Sequence, residues 1–236
     1  MSKSRSNIRA FLSRSLAVAA LGIATSAMAA PVSYSEVGDA GQTQGTAQSA
    51  YGGASPLSHI FGSLSSSTDV DLYVVNIASL AAFSATTVNS GTDDLLDTQI
   101  FLMTLSGQAV CLNDNDVSDP AFFRSTLGAG SCSSASGPGL YLLGISSGFF
   151  DAVDMNNDLL FATDPTTIAT RGAASTFALA GFVDNGAFNP NAGRYDIQLT
   201  GVTALPEPTT MLLAFGALAG CGWTSRRQRS AAKAAA

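Results

Sequence analysis

Asp and Asn recur in three short runs that border apolar stretches: Asp69 and Asp71 in "TDVDLYVV", Asp97 in "DDLLDTQIF", and Asn113, Asp114, Asn115 and Asp116 in "CLNDNDV". Oxygen donors at that density suit a hard divalent cation, because calcium takes about six to eight oxygens from carboxylates, amides and carbonyls. Asp69, Asp71, Asp97, Asn113, Asp114 and Asp116 are therefore candidate calcium ligands, provided that the fold brings the 69–71 and 113–116 loops to one end. The same residue types also fill turns for backbone reasons, so turn formation and solubility stand beside the metal reading. A fourth run, "DMNND" at 154–158, spaces Asp154, Asn156 and Asp158 as an EF-hand loop begins. Leu159 stands where that loop needs glycine and Pro165 where it needs glutamate, so the motif fails.

"GISSG" at 144–148 matches the nucleophile-elbow pattern around Ser146. An elbow requires a strand, a sharp turn and a helix, with an acid and then a histidine later in the chain. The only histidine, His59, comes earlier, and a strand-end turn is the plainer reading of these residues. A single histidine also leaves no HExxH zinc site, and neither a CxxC pair nor a phosphate-binding or dinucleotide glycine loop occurs. No catalytic residue is expected, and a serine hydrolase at Ser146 is the distant alternative.

Charge is distributed unevenly along the 236 residues, whose net value of −6 conceals the contrast. Residues 31–204 contain no lysine and only Arg124, Arg171 and Arg194, against 16 Asp and Glu. A surface of that kind repels nucleic acid, which needs clustered Lys and Arg to neutralise phosphates. It attracts divalent cations or serves solubility outside a cell.

Both ends read as addresses. A basic start, "MSKSRSNIR", leads into an apolar stretch from Leu16 to Ala24 and then "SAMAA", where Ala27 and Ala29 fit the A-x-A rule. Cleavage is expected before Ala30 or Pro31. Near the other end, 18 uncharged residues from Pro208 to Ser225 would extend about 27 Å as a helix, barely enough to cross a hydrocarbon core of about 30 Å. Pro206 and Pro208 suit the helix entrance, and Arg226, Arg227 and Arg229 would hold the distal end in the cytoplasm. Cys111 and Cys132 are the two cysteines between these ends, and in an oxidising compartment such a pair is most simply a disulfide, with two buried thiols as the alternative.

The order Pro206-Glu207-Pro208, then "TTMLLAFGALAGCGW", then "RRQR" resembles the PEP-CTERM sorting signal. That resemblance implies recognition by exosortase, a membrane transpeptidase that removes the helix and passes its substrate to the cell surface. It implies a Gram-negative bacterium that builds exopolysaccharide or biofilm matrix. It also makes Pro206, Glu207, Pro208, Arg226, Arg227 and Arg229 recognition elements of a substrate.

Between the addresses lie short runs of β type separated by turn residues. Residues 69–77, 83–88, 98–105, 140–145, 175–183 and 194–200 are expected strands, and Ser106-Gly107 is expected to turn "FLMTL" into "QAVCL". "RYDIQLT" alternates, with Tyr195, Ile197 and Leu199 on one face. Residues 31–60 are rich in Gly, Ala, Ser and Gln and are expected to be extended or loosely docked. "GSLSSSTDVDLYVVNI", "DTQIFLMTLSGQAVCLNDND", "GPGLYLLGI" and "AGRYDIQLTG" resemble the bacterial pre-peptidase C-terminal domains, with residues 146–190 unmatched. The resemblance implies a non-catalytic, jelly-roll-like sandwich linked with secretion and with substrate or matrix binding.

The expected protein is thus all-β, an antiparallel β-sandwich at 61–203. A signal helix at 1–30 and the 31–60 lead-in precede it, and the sorting signal at 204–229 and a tail at 230–236 follow. Its expected role is that of an exported, non-enzymatic surface or exopolysaccharide-matrix protein without a cofactor, calcium excepted. Exosortase and exopolysaccharide are the expected partners, and a calcium-dependent carbohydrate-binding module is the alternative.

Overall fold

Apolar residues at alternate positions, broken by Gly, Asn, Asp and Ser, dictate strands and turns, and no helix occurs among the described residues. The computed structural model describes residues 29–50, 55–132, 137–162, 171–185 and 191–203. Strands are numbered in chain order. One sheet holds β1 (Val32–Ser35), β3 (Leu57–Leu64), β5 (Ser84–Thr86), β8 (Thr126–Leu127) and β13 (Gly193–Thr200), in the order β1-β3-β13-β5-β8. The second holds β2 (Gln48–Ser49), β4 (Val70–Ile77), β6 (Thr98–Thr104), β7 (Ala109–Asn113), β9 (Gly139–Ser147), β11 (Arg171–Gly172) and β14 (Val202–Thr203). Its order is β11-β7-β6-β9-β4-β14, with β2 also on β4. A separate pair is formed by β10 (Phe150–Val153) and β12 (Gly181–Asp184).

The two large sheets face each other across one core. Tyr73, Val75 and Ile77 of β4, Ile100 and Leu102 of β6, and Leu143 and Ile145 of β9 meet Ile60, Leu64, Ile197 and Leu199 there. On β13 Tyr195, Ile197 and Leu199 are buried as expected, and Arg194 and Thr200 are exposed; Asp196, on the opposite face, is buried as well, where His59 pairs with it. A second core lies on the outer side of the larger sheet. Val70, Leu72, Phe101, Met103, Leu112 and Leu142 pack there against Phe150, Ala152, Leu160 and Phe161. Phe182 closes this layer, its ring 5.8 Å from Phe150 and 5.9 Å from Phe101. Burial on both faces explains why "TQIFLMT" reads as a continuous apolar run and not as an alternating one. Phe150, Ala152, Leu160, Phe161, Leu179 and Phe182 of this cover all come from the region 146–190 that the family resemblance leaves unmatched.

Three expectations need revision. The sandwich is mixed and not purely antiparallel, because β1 pairs with β3, and β2 with β4, in parallel. A parallel neighbour requires a long return of the chain, and the stretch between Ser35 and Leu57, with β2 in the other sheet, provides it. Residues 31–60 are docked by strand pairing through β1, β2 and the first half of β3. Of the expected strand 175–183, only the end forms β12; the preceding residues bend across the outer cover, with Leu179 packed on its core. The remaining strands lie where expected, and Gly107, at φ 81°, makes the turn between β6 and β7.

Cys111 on β7 and Cys132 in the loop after β8 form a disulfide inside the main core. Ala29 and Ala30 are exposed at the start of the described chain. Ala27, the stretch expected to form a signal helix, Pro206, Glu207, Pro208, Cys221, Arg226, Arg227 and Arg229 lie outside the described residues. Among the described residues no helix is long and apolar enough to cross a membrane.

Candidate functional site

The strand register decides how the acidic runs are grouped. Strand β9 runs between β4 and β6, with Val70 opposite Ser146 and Thr98 opposite Ser147. The starts of β4 and β6 and the end of β7 therefore lie at one end of the larger sheet, as a joint site requires. They are nevertheless three strand spacings apart from β4 to β7, about 14 Å at about 4.8 Å each. One ion with bonds of about 2.4 Å cannot touch both groups. The six expected ligands divide into two sets.

The first set contains Asp71, which faces the main core at the start of β4 and is fully buried. Tyr195 donates its hydroxyl to Asp71 Oδ2 at 2.6 Å, so Tyr73, whose hydroxyl meets that of Tyr195, donates to Tyr195 in turn. No hydrogen-bond partner reaches Asp71 Oδ1. Two residues that the sequence left unremarked complete the set. Glu36, just after β1, accepts Ala40 N at 3.0 Å and Ser63 N at 2.9 Å, one on each oxygen. Asp39 follows in the same exposed segment. Glu36, Asp39 and Asp71 each offer a carboxylate oxygen within 4.8 Å of the other two. Gly62 on β3 makes room for this approach: a methyl group there would fall 2.8 Å from Glu36 Oε2 and closer still to the Tyr195 hydroxyl.

Electrostatics at this cluster are unbalanced. Burial, countered by the Tyr195 hydrogen bond and reinforced by Glu36, Asp69 and Asp39, pushes the Asp71 carboxyl up to about 8. Burial likewise raises Glu36, against its two backbone donors. Neither ion pair found among the described residues, His59 with Asp196 at 2.9 Å or Arg194 with Asp93 at 3.3 Å, supplies positive charge here. Asp69 plays a different part, closing the β3–β4 turn by accepting Ser65 N at 2.6 Å and Val70 N at 2.9 Å.

The second set lies across β9. Asp97 packs its carboxyl against Gly148 with Oδ1 buried and without a partner. Burial first, and then Asp114, push it up to about 7, with Arg124 opposing. Asn113 accepts Thr126 N of β8 at 2.7 Å and donates Nδ2 to Asn115 O at 3.0 Å, and Asp116 accepts Ser118 N and Oγ, both at 2.6 Å, so these two side chains serve strand-to-strand and turn contacts. Arg124 donates to the carbonyls of Leu96, Thr92 and Asp93, and borders a cleft of about 340 Å³. Its charge is directed to the main chain and not into that cleft.

The remaining motifs are placed plainly. Ser146 lies within β9, fully buried, and donates to Gln99 Oε1 and Phe150 O, both at 3.2 Å. The strand runs on into β10 with no helix, and His59 sits on the outer face of the other sheet beside Asp196. "DMNND" forms a turn in which Asp154 accepts Asn156 N and Asp158 N on one oxygen and Ser175 Oγ on the other. No protein-family model, curated protein or solved structure matches the chain.

Proposed function

We propose that this is an exported, non-enzymatic β-sandwich protein of the cell surface or exopolysaccharide matrix, delivered by exosortase acting on its C-terminal signal. The observation that carries the reading, within the described residues, is the Cys111–Cys132 disulfide, since such bonds persist in oxidising compartments. The lysine-free acidic body and the two terminal addresses support it. We further take the sandwich to be jelly-roll-like, of the pre-peptidase C-terminal type. Repeated crossing between sheets from β3 to β4, β5 and β6 supports that assignment.

Removing the chain from Pro206 onward in the producing cell tests the delivery route. The intact protein, with a mature N-terminus at Ala30 or Pro31 by mass spectrometry, is expected at the surface or in the matrix. The truncated protein is expected in the periplasm or medium, uncoupled from the surface. Full-length protein in the cytosol with Met1 in place overturns the proposal. Co-sedimentation of the mature protein with the producer's own exopolysaccharide tests the matrix role separately.

A further inference from the structure

We propose that the cleft between the 88–94 and 118–124 loops binds a short, uncharged stretch of polysaccharide, with Phe122 as its stacking surface. The inference rests on the matrix role proposed above, and names the ligand class and the site. Phe122 holds φ at 57°, in the left-handed region that a bulky side chain rarely adopts, and it is 51% exposed. Glycine or asparagine would make the same turn with less strain, and asparagine would meet water without an apolar ring. The ring belongs to neither core and makes no ring contact among the described residues. Folding therefore gains nothing from a phenyl group here, and strain of this kind gathers where a ligand is held.

The walls of the cleft are fixed before any ligand arrives. Arg124 rises from one side and donates to the carbonyls of Thr92, Asp93 and Leu96 on the other. Asp119 accepts Phe123 N at 2.8 Å and Arg124 N at 2.7 Å, which closes the turn that carries Phe122. A site built in advance loses little freedom on binding. The lining selects the ligand. Asn89 and Asp94 are exposed, and their side chains make no hydrogen bond among the described residues, so an amide and a carboxylate are open to hydroxyl groups. Pro120, Ala121 and Phe123 supply apolar surface for the C–H face of a sugar ring. Arg124, the one cation among the described lining residues, is turned to the main chain, and the acidic body repels uronate, sulfate or phosphate groups. At about 340 Å³ the cleft lies at the small end of the roughly 300–1,000 Å³ usual for small-molecule sites, which suits a short stretch of chain.

The test titrates the neutral oligosaccharide fraction released from the producer's own exopolysaccharide into the full chain, read by calorimetry in chelator. Trigalacturonate is the acidic comparison. Saturable heat is expected from the neutral fraction and none from trigalacturonate. Phe122→Gly is expected to keep a Tm no lower than wild type, because glycine takes positive φ at ease, while affinity falls roughly three- to tenfold. Asp94→Asn is expected to lose about tenfold, as a hydrogen bond to a charged group is replaced by a neutral one. Phe177→Ala, at an equally exposed ring outside the lining, is expected to titrate like wild type. No saturable heat from the neutral fraction, or equal binding of trigalacturonate, overturns the ligand class. Phe122→Gly or Asp94→Asn titrating like wild type, or Phe177→Ala losing affinity, overturns the site. Co-sedimentation with whole exopolysaccharide separates the two proposals: if it persists undiminished in both cleft variants, the matrix role stands and the cleft falls. If wild type binds the oligosaccharides yet does not co-sediment, the cleft stands and the matrix role falls.

Discussion

Asp97 shows how a carboxyl group without a partner shapes stability. It sits against Gly148 with a bare, buried oxygen, and burial with Asp114 nearby pushes it up to about 7. Its folded-state value lies above the unfolded value, so the folded chain holds the proton more tightly. The associated stability is fully present below about pH 4 and is lost as pH rises through 7. Asp71, raised to about 8, acts in the same direction. Urea unfolding of wild type in chelator is therefore expected to show lower stability at pH 8 than at pH 5. Asp97→Asn is expected to recover about 1–3 kcal/mol of that difference, because the amide keeps the shape without the buried charge. Equal losses in wild type and variant would show that Asp97 is ionised in the folded protein without penalty.

At the scale of elements, the strands of the larger sheet are held from three sides. The main core lies on one face, the β10–β12 cover on the other, and the disulfide ties β7 to the loop after β8. Cross-linking positions 21 apart restricts the unfolded chain by roughly 3 kcal/mol in the chain-entropy model. Cys132→Ser is expected to lower the denaturation free energy by about that amount and to leave one thiol open to alkylation after unfolding. A variant as stable as wild type would mean that the loop is already pinned by Ser125, whose hydroxyl bonds the carbonyls of Thr98 and Asp114. The outer cover explains why β6 carries no alternation. An apolar run signals burial on both faces, but it does not say which later residues provide the second face.

Across the whole molecule, self-repulsion is the dominant electrostatic feature. Three arginines against 16 acids in residues 31–204 leave a field that counter-ions must screen. Raising monovalent salt from about 0.02 to 0.3 M shortens the Debye length severalfold and is expected to raise Tm by a few degrees in chelator. A fall in Tm over that range would mean that the ion pairs His59–Asp196 and Arg194–Asp93 outweigh the repulsion.

The sequence by itself determined the all-β character, most strand positions, the inward face of β13 and the cysteine pair, because each follows from local alternation, turn residues or a simple count. It also marked Asp71 as a candidate ligand, but not its companions. Glu36 and Asp39 lie in a stretch whose composition carries no period, and only parallel pairing of β1 with β3 brings them to β4. Their one local signal was a pair of acids in an otherwise neutral, polar segment. Likewise, the register of β4, β9, β6 and β7 alone separated Asp71 from Asn113 and Asp116. Periodicity fixes what a residue's own strand does with it; which strands become neighbours depends on contacts far apart in the chain, and the acidic cluster is made of those.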